Sequence, residues 1–157
     1  MALVREVFGH AIDTARVTLR RSKWFLFHPR NVTMAPTGHL HFHPDGENYC
    51  DDFSQATPAL QGHFIHEMTH VWQMQTRGRW YVPLLGAVQR KYSYTLQPGK
   101  PLSAYGIEQQ AEIVAHAFML RRGWRVDGAA KLMQLLMTLP DNFNCKSNFL
   151  GIQSGNV

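Results

Sequence analysis

Cysteine is scarce in this chain. Cys50 and Cys145 are its only two, and no Cys-x-x-Cys pair occurs. A disulfide framework is therefore excluded. A single bridge between these distant residues is the one alternative to free thiols. Long hydrophobic runs are missing too. None approaches the roughly 18 residues that a membrane helix needs. The N-terminus, MALVREVFGHAIDTARV, has no continuous apolar stretch of the kind a signal peptide carries. No cleaved leader is expected, so export would use a route that needs none. Internal repeats and low-complexity tracts are also lacking.

Negative charge is in short supply. The 11 acidic residues face 16 lysines and arginines, giving a net charge of +5 and a pI of about 9.5. Basic residues gather at Arg20, Arg21 and Lys23, at Arg77 and Arg79, at Arg90 and Lys91, and at Arg121, Arg122 and Arg125. Such clusters are either a solvated surface or attract nucleic acid, lipid headgroups or cell-wall polymer. No nucleic-acid motif accompanies them, so no nucleic-acid partner is expected.

What is present fits one globular domain over residues 1–157, with 45% hydrophobic and 17% charged residues. Residues 4–16 read as a short helix. Arg16–Arg20 alternates like a strand. Asn31–Met34 and His39–His43 read as the arms of a hairpin around Pro36-Thr37-Gly38. Thr57-Pro58 opens a helix expected to run to about Thr76 and stop near Gly78. Further helices are expected over 82–91, 107–122 (closed by Gly123) and 128–138. Residues 141–157 lack periodicity and read as an irregular tail. The predicted fold class is α+β: mainly helical, with a small N-terminal antiparallel sheet.

The stretch HFIHEMTHVWQMQ, residues 63–75, carries the chemistry. His66 and His70 are four apart, so a helix presents both imidazoles to one point. Neutral imidazole is a good Zn²⁺ ligand. Glu67 lies beside the first ligand, placed to take a proton from an activated water and return it to a leaving amine. A catalytic zinc needs a third protein ligand. The pattern HExxHxxGxxH fails, because Gln73 and Thr76 occupy its later positions. The remaining source is YGIEQQAEIVAHAF, where Glu108 and Glu112 are four apart on one predicted helix. Glu108 is assigned as the ligand and Glu112 as the partner of a ligating histidine, with the reverse order as the alternative. One Zn²⁺ is expected. His116, further along the same face, is either a supporting group or simply packed.

HEMTHVWQ followed by EQQAEIV, with the upstream NVTMAPTGHLHFHP and YCDDF, resembles the Vgr-related proteins of bacteria. These are zincin-like metallopeptidases encoded with the VgrG spike proteins of type VI secretion systems. The similarity spans residues 8–122. It implies a zincin-like fold and a zinc peptidase of the glutamate-ligand group, cleaving a protein or a cell-wall peptide. His66, Glu67, His70 and one glutamate of EQQAE match the zincin pattern. The resemblance further implies a toxic effector, made in the producer's cytoplasm and delivered to a neighbour's periplasm or cytoplasm. A VgrG spike and a cognate immunity protein are the implied partners. The competing reading is a catalytically idle zinc-binding adaptor or loading factor for the spike.

Other residues invite assignment. His39, His41 and His43 project from one strand face and are expected beside the substrate cleft. Tyr105 precedes Glu108 by three and is the candidate oxyanion donor, with Tyr81, Tyr92 and Tyr94 as competitors. His63 lines the cleft, or has a capping or packing role. Asp51-Asp52 is expected to form a turn or a cap before the helix at Thr57.

Overall fold

The computed structural model describes residues 1–86 and 88–146. The helices that lie wholly among the described residues are α1 (Ala2–Phe8), α2 (Pro58–Arg77), α3 (Tyr81–Gly86), α4 (Ile107–Arg121) and α5 (Leu132–Thr138). Three short strands are β1 (Leu19–Arg20), β2 (Thr33–Met34) and β3 (Leu40–Phe42). The fold is α+β, as expected. Among the described residues no helix is long and apolar enough to cross a membrane.

The long helices follow the sequence signals. Thr57 Oγ1 accepts the Leu60 N–H at 3.4 Å and Pro58 takes the first turn, where a missing N–H costs nothing. Gly78 ends α2 at φ +98°. At the end of α4 the Trp124 N–H reaches Met119 O at 3.1 Å, and the Gly123 N–H reaches Leu120 O at 3.0 Å. This double closure needs a left-handed residue, and Gly123 supplies it at φ +76°.

Helices α2 and α4 pack along each other and form the centre of the molecule. Phe64, Ile65, Met68 and Val71 meet Ile113, Val114, Ala117 and Phe118 in one buried cluster. Each such side chain contributes about 1.5–3 kcal/mol on leaving water. Helix α1 adds Leu3, Val4, Val7 and Phe8, and α5 adds Leu135 and Leu136.

The structure departs from expectation at several places. The first helix stops at Phe8, because Gly9 turns the chain at φ +57°; only a single turn, Thr14–Arg16, follows. Helix α3, Tyr81–Gly86, does not extend over residues 88–91 as expected. The sheet is mixed rather than antiparallel. Its order is β1-β3-β2, with β1 parallel to β3 and β2 antiparallel to it. The beginning of the tail is not loose. Phe143 is fully buried, its ring edge-on to Phe8 at 5.0 Å and to Trp72 at 5.2 Å. Residues 147–157 of the predicted tail lie outside the described residues. Cys50 and Cys145 are free thiols, and burial pushes Cys145 up to about 12.

Candidate metal centre

The two long helices approach closely. A Cβ on Gly62 of α2 would lie 2.5 Å from Sδ of Met119 on α4, so a side chain there would have to displace the Met119 thioether. At this separation the i, i+4 pairs of the two helices face each other. Nε2 of His66 lies 3.2 Å from Oε2 of Glu108, and Nε2 of His70 lies 3.3 Å from the same oxygen. One donor atom from each of the three residues falls within 4.8 Å of the others, a group that could hold a metal ion. A tetrahedral zinc with arms near 2.0–2.1 Å spaces its ligands by about 3.3 Å. The glutamate-to-histidine separations match that spacing, and two imidazoles with one carboxylate suit zinc chemically.

The electrostatics favour a cation at this point. Burial opposes charge on His66, but the hydrogen bonds to Glu108 and Glu112 outweigh it and raise its pKa to about 10. Burial likewise works against the Glu108 anion, and His66 and His70 overcome it, holding the carboxyl at about 2. His116 first, then His66, hold Glu112 at about 2.

Further groups orient the donors. Oε1 of Glu112 lies 3.3 Å from Nδ1 of His66, and its Oε2 lies 2.9 Å from Nε2 of His116. His116 Nδ1 in turn lies 2.7 Å from the Tyr94 hydroxyl. On the other histidine, Nδ1 of His70 pairs with Oε1 of Gln73 at 2.9 Å. Gln73 Nε2 donates to Ile107 O at 3.0 Å and to Gln110 Oε1 at 3.1 Å. When each Nδ1–H is donated outward, each Nε2 lone pair points at the shared site. Sequence reasoning passed over Gln73 as a failed ligand position. Its signal was the helical spacing of three from His70.

A cavity of about 720 Å³ opens over this group. Its lining includes His66, Glu67, His70, Glu108 and Glu112, with Thr33 and Met34 of β2 on one side and Val82 and Pro83 of α3 on another. Glu67 is buried. Among the described residues its carboxylate accepts no hydrogen bond, and the His63 ring lies 3.9 Å away. His63 itself pairs with Thr33 Oγ1 at 2.8 Å. Tyr92 also lines the cavity, its ring stacked against His66 at 6.0 Å. Burial, then Glu108, Glu67 and Glu112, raise its pKa above the ordinary tyrosine value.

Several expected cleft residues lie elsewhere. β3 is the middle strand, so the edge beside the cavity is β2. His39 pairs with Thr18 Oγ1 at 3.0 Å. His41 packs against Trp24, its ring centre 5.0 Å away, and His43 packs against His28 at 5.9 Å. None of the three lines the cavity. Tyr105 does not line it either. Its hydroxyl accepts the Gln97 N–H at 2.9 Å. Asp52 caps the Phe53–Gln55 turn through Ser54, as expected.

Fold and site together define an α+β domain with a two-histidine, one-glutamate group between paired helices. No family model matches the chain. It is 39% identical over 127 residues to the type VI secretion system spike protein VgrG2b of Pseudomonas aeruginosa. That match covers 76% of this chain and 12% of the spike protein, so the chain spans only a small part of the curated relative's length. It also resembles the solved effector domain of Pseudomonas aeruginosa VgrG2b, with a TM-score of 0.74 and 34% identity. There the match covers 88% of this chain and 79% of the effector domain. The chain belongs to the Vgr-related family, as a homologue of the VgrG2b effector domain.

Proposed function

We propose that this chain is a zinc-dependent metallopeptidase with a zincin-like fold, acting as a toxic effector of a type VI secretion system. The carrying observation is the convergence of His66, His70 and Glu108 in a cavity that also holds the buried carboxylate of Glu67, which accepts no hydrogen bond among the described residues. A purely structural metal would have no use for a buried carboxylate left without a hydrogen bond. The kinship with the VgrG2b effector domain supports the effector role.

Zinc held by His66, His70 and Glu108 would polarise the scissile carbonyl and lower the pKa of a water toward about 7. The Glu67 carboxylate, in the same cavity, would take a proton from an attacking water and return it to the leaving amine. Tyr92, kept protonated by its surroundings, donates a hydrogen bond to the carbonyl oxygen as charge develops there. Glu112 and Gln73 hold the two imidazoles in orientation. The free edge of β2 offers backbone groups to an extended substrate peptide.

The substrate is an amide bond in a protein or in a cell-wall peptide. Residues 1–157 form a single catalytic domain. A VgrG spike would carry it from the producer's cytoplasm to the target's periplasm or cytoplasm, and an immunity protein would protect the producer.

The test combines metal analysis with Glu67→Gln. One zinc per chain is expected in both proteins, with peptidase activity or toxicity reduced about 10²–10⁴-fold in the variant. Full toxicity of Glu67→Gln would leave a metal-binding adaptor as the better reading.

A further inference from the structure

The surface at residues 24–27 calls for a partner. Trp24, Phe25, Leu26 and Phe27 follow one another in the connection between β1 and β2, and all four are exposed. Leu26 is 76% exposed and Phe27 is 80% exposed. Large apolar side chains grouped in water mark a contact surface.

The loop is held firmly at its base. The Trp24 N–H donates to Nδ1 of His28 at 3.1 Å, and the His28 N–H donates to Phe25 O at 3.1 Å. Nε2–H of His28 donates to Val32 O at 2.6 Å. The Trp24 ring packs on His41, and the Phe25 ring stacks on His28 at 6.1 Å and 8°. The inner pair of rings is fixed to the fold, which leaves Leu26 and Phe27 at the projecting tip.

Along the loop's own stretch of chain the charge has one sign, with Asp45 lying at its base against His43. No carboxylate occurs between Asp13 and Asp45, whereas Arg16, Arg20, Arg21, Lys23 and Arg30 all lie in that interval and are exposed. We infer that this loop docks the protein on a bilayer surface containing anionic phospholipid. Leu26 and Phe27 enter the boundary of the acyl chains, Trp24 lies at headgroup level, and the cations meet lipid phosphates. A protein partner fits less well. Protein interfaces take their apolar contacts over a broad patch, whereas Leu26 and Phe27 project as a narrow tip.

Docking has a geometric consequence. His28 ties the loop to Val32, and Val32 with Asn31 lines the metal-centre cavity. The cavity mouth is therefore brought beside the headgroups. Selection of peptide bonds close to a membrane surface then follows, a consequence that rests on the proposed peptidase activity. Docking does not rest on it.

The experiment is co-sedimentation of the full chain with vesicles of phosphatidylethanolamine and phosphatidylglycerol, against vesicles of phosphatidylcholine alone. Binding to the anionic vesicles is expected, weakening as salt rises. The double variant Leu26→Ser, Phe27→Ser should lower that affinity at least about tenfold while its thermal midpoint stays unchanged. Lys23→Glu with Arg30→Glu should weaken it as well. Failure to bind anionic vesicles would overturn the inference and leave the loop to a protein partner. Unchanged affinity in the Leu26, Phe27 variant, with loss only on charge reversal, would overturn it in favour of surface adsorption. Peptidase assays do not enter, so a failed docking test leaves the proposed activity standing.

Discussion

Nδ1 of His66 lies 3.3 Å from Oε1 of Glu112, while Nε2 of the same ring faces Glu108 at 3.2 Å. One imidazole is thus shared by two carboxylates that stand a single helical turn apart on α4. Only the Glu108 oxygen also lies within 3.3 Å of His70. The two glutamates are chemically alike, and this difference in reach separates their roles.

Glu108→Ala should therefore abolish zinc binding. Glu112→Ala should keep the metal but weaken it about 10–100-fold, because the His66 ring loses its orienting partner. Gln73→Ala should act similarly through His70. Competition with a chromophoric chelator measures all three. If Glu112→Ala loses the metal and Glu108→Ala retains it, the order is reversed.

Tyrosine substitutions should separate chemistry from packing. Tyr92→Phe is expected to lower kcat by about 10²-fold with little change in KM, the effect of losing one donor to a developing oxyanion. Tyr105→Phe should leave the rate alone and cost about 1 kcal/mol of stability, because the Gln97 N–H loses its acceptor. Steady-state kinetics and denaturant unfolding of both variants check this. Equal rate losses would remove Tyr92 from the reaction.

The metal-free chain should have a bounded window of stability. Glu108 and Glu112 sit at about 2, below their ordinary 4.5. Their contribution is complete above pH 4.5 and is lost as pH falls toward 2. His66 sits at about 10, above its ordinary 6.5. Its contribution is complete below pH 6.5 and is lost as pH rises through 10. Urea midpoints measured with chelator present should peak between these limits and fall on both sides. A midpoint that climbs steadily from pH 6 to pH 10 would contradict the His66 assignment.

Phe143→Ala should destabilise the protein by about 3–5 kcal/mol, since its fully buried ring fills the space between α1 and α2. Thermal or chemical unfolding reads the loss directly. A change below about 1 kcal/mol would mean that the described beginning of the tail is dispensable.

Helices were the most legible part of the chain. Thr57-Pro58, Gly78 and Gly123 punctuate α2 and α4 by local chemistry, which needs no knowledge of distant residues. The short strands were harder to place. With two or three residues each, their pairing depends on what packs against them, so the parallel β1–β3 pair and the central position of β3 left no local signal. The assignment of His39, His41 and His43 to the cleft went astray for that reason. Alternation put all three on a strand, whereas β3 spans only Leu40–Phe42 and holds His41 alone, and strand order decides which strand meets the cavity.

The sequence by itself determined the site's chemistry. The spacings of His66 with His70 and of Glu108 with Glu112 set one face on each of two helices, because a helical turn fixes what neighbours what. Tertiary structure decided how those faces meet. The packing of α2 on α4 past Gly62 brings Glu108, rather than Glu112, to both Nε2 atoms, and places Tyr92 instead of Tyr105 beside the cavity. Separations of 3.2–3.3 Å between residues some forty positions apart are products of core packing, which no local pattern encodes.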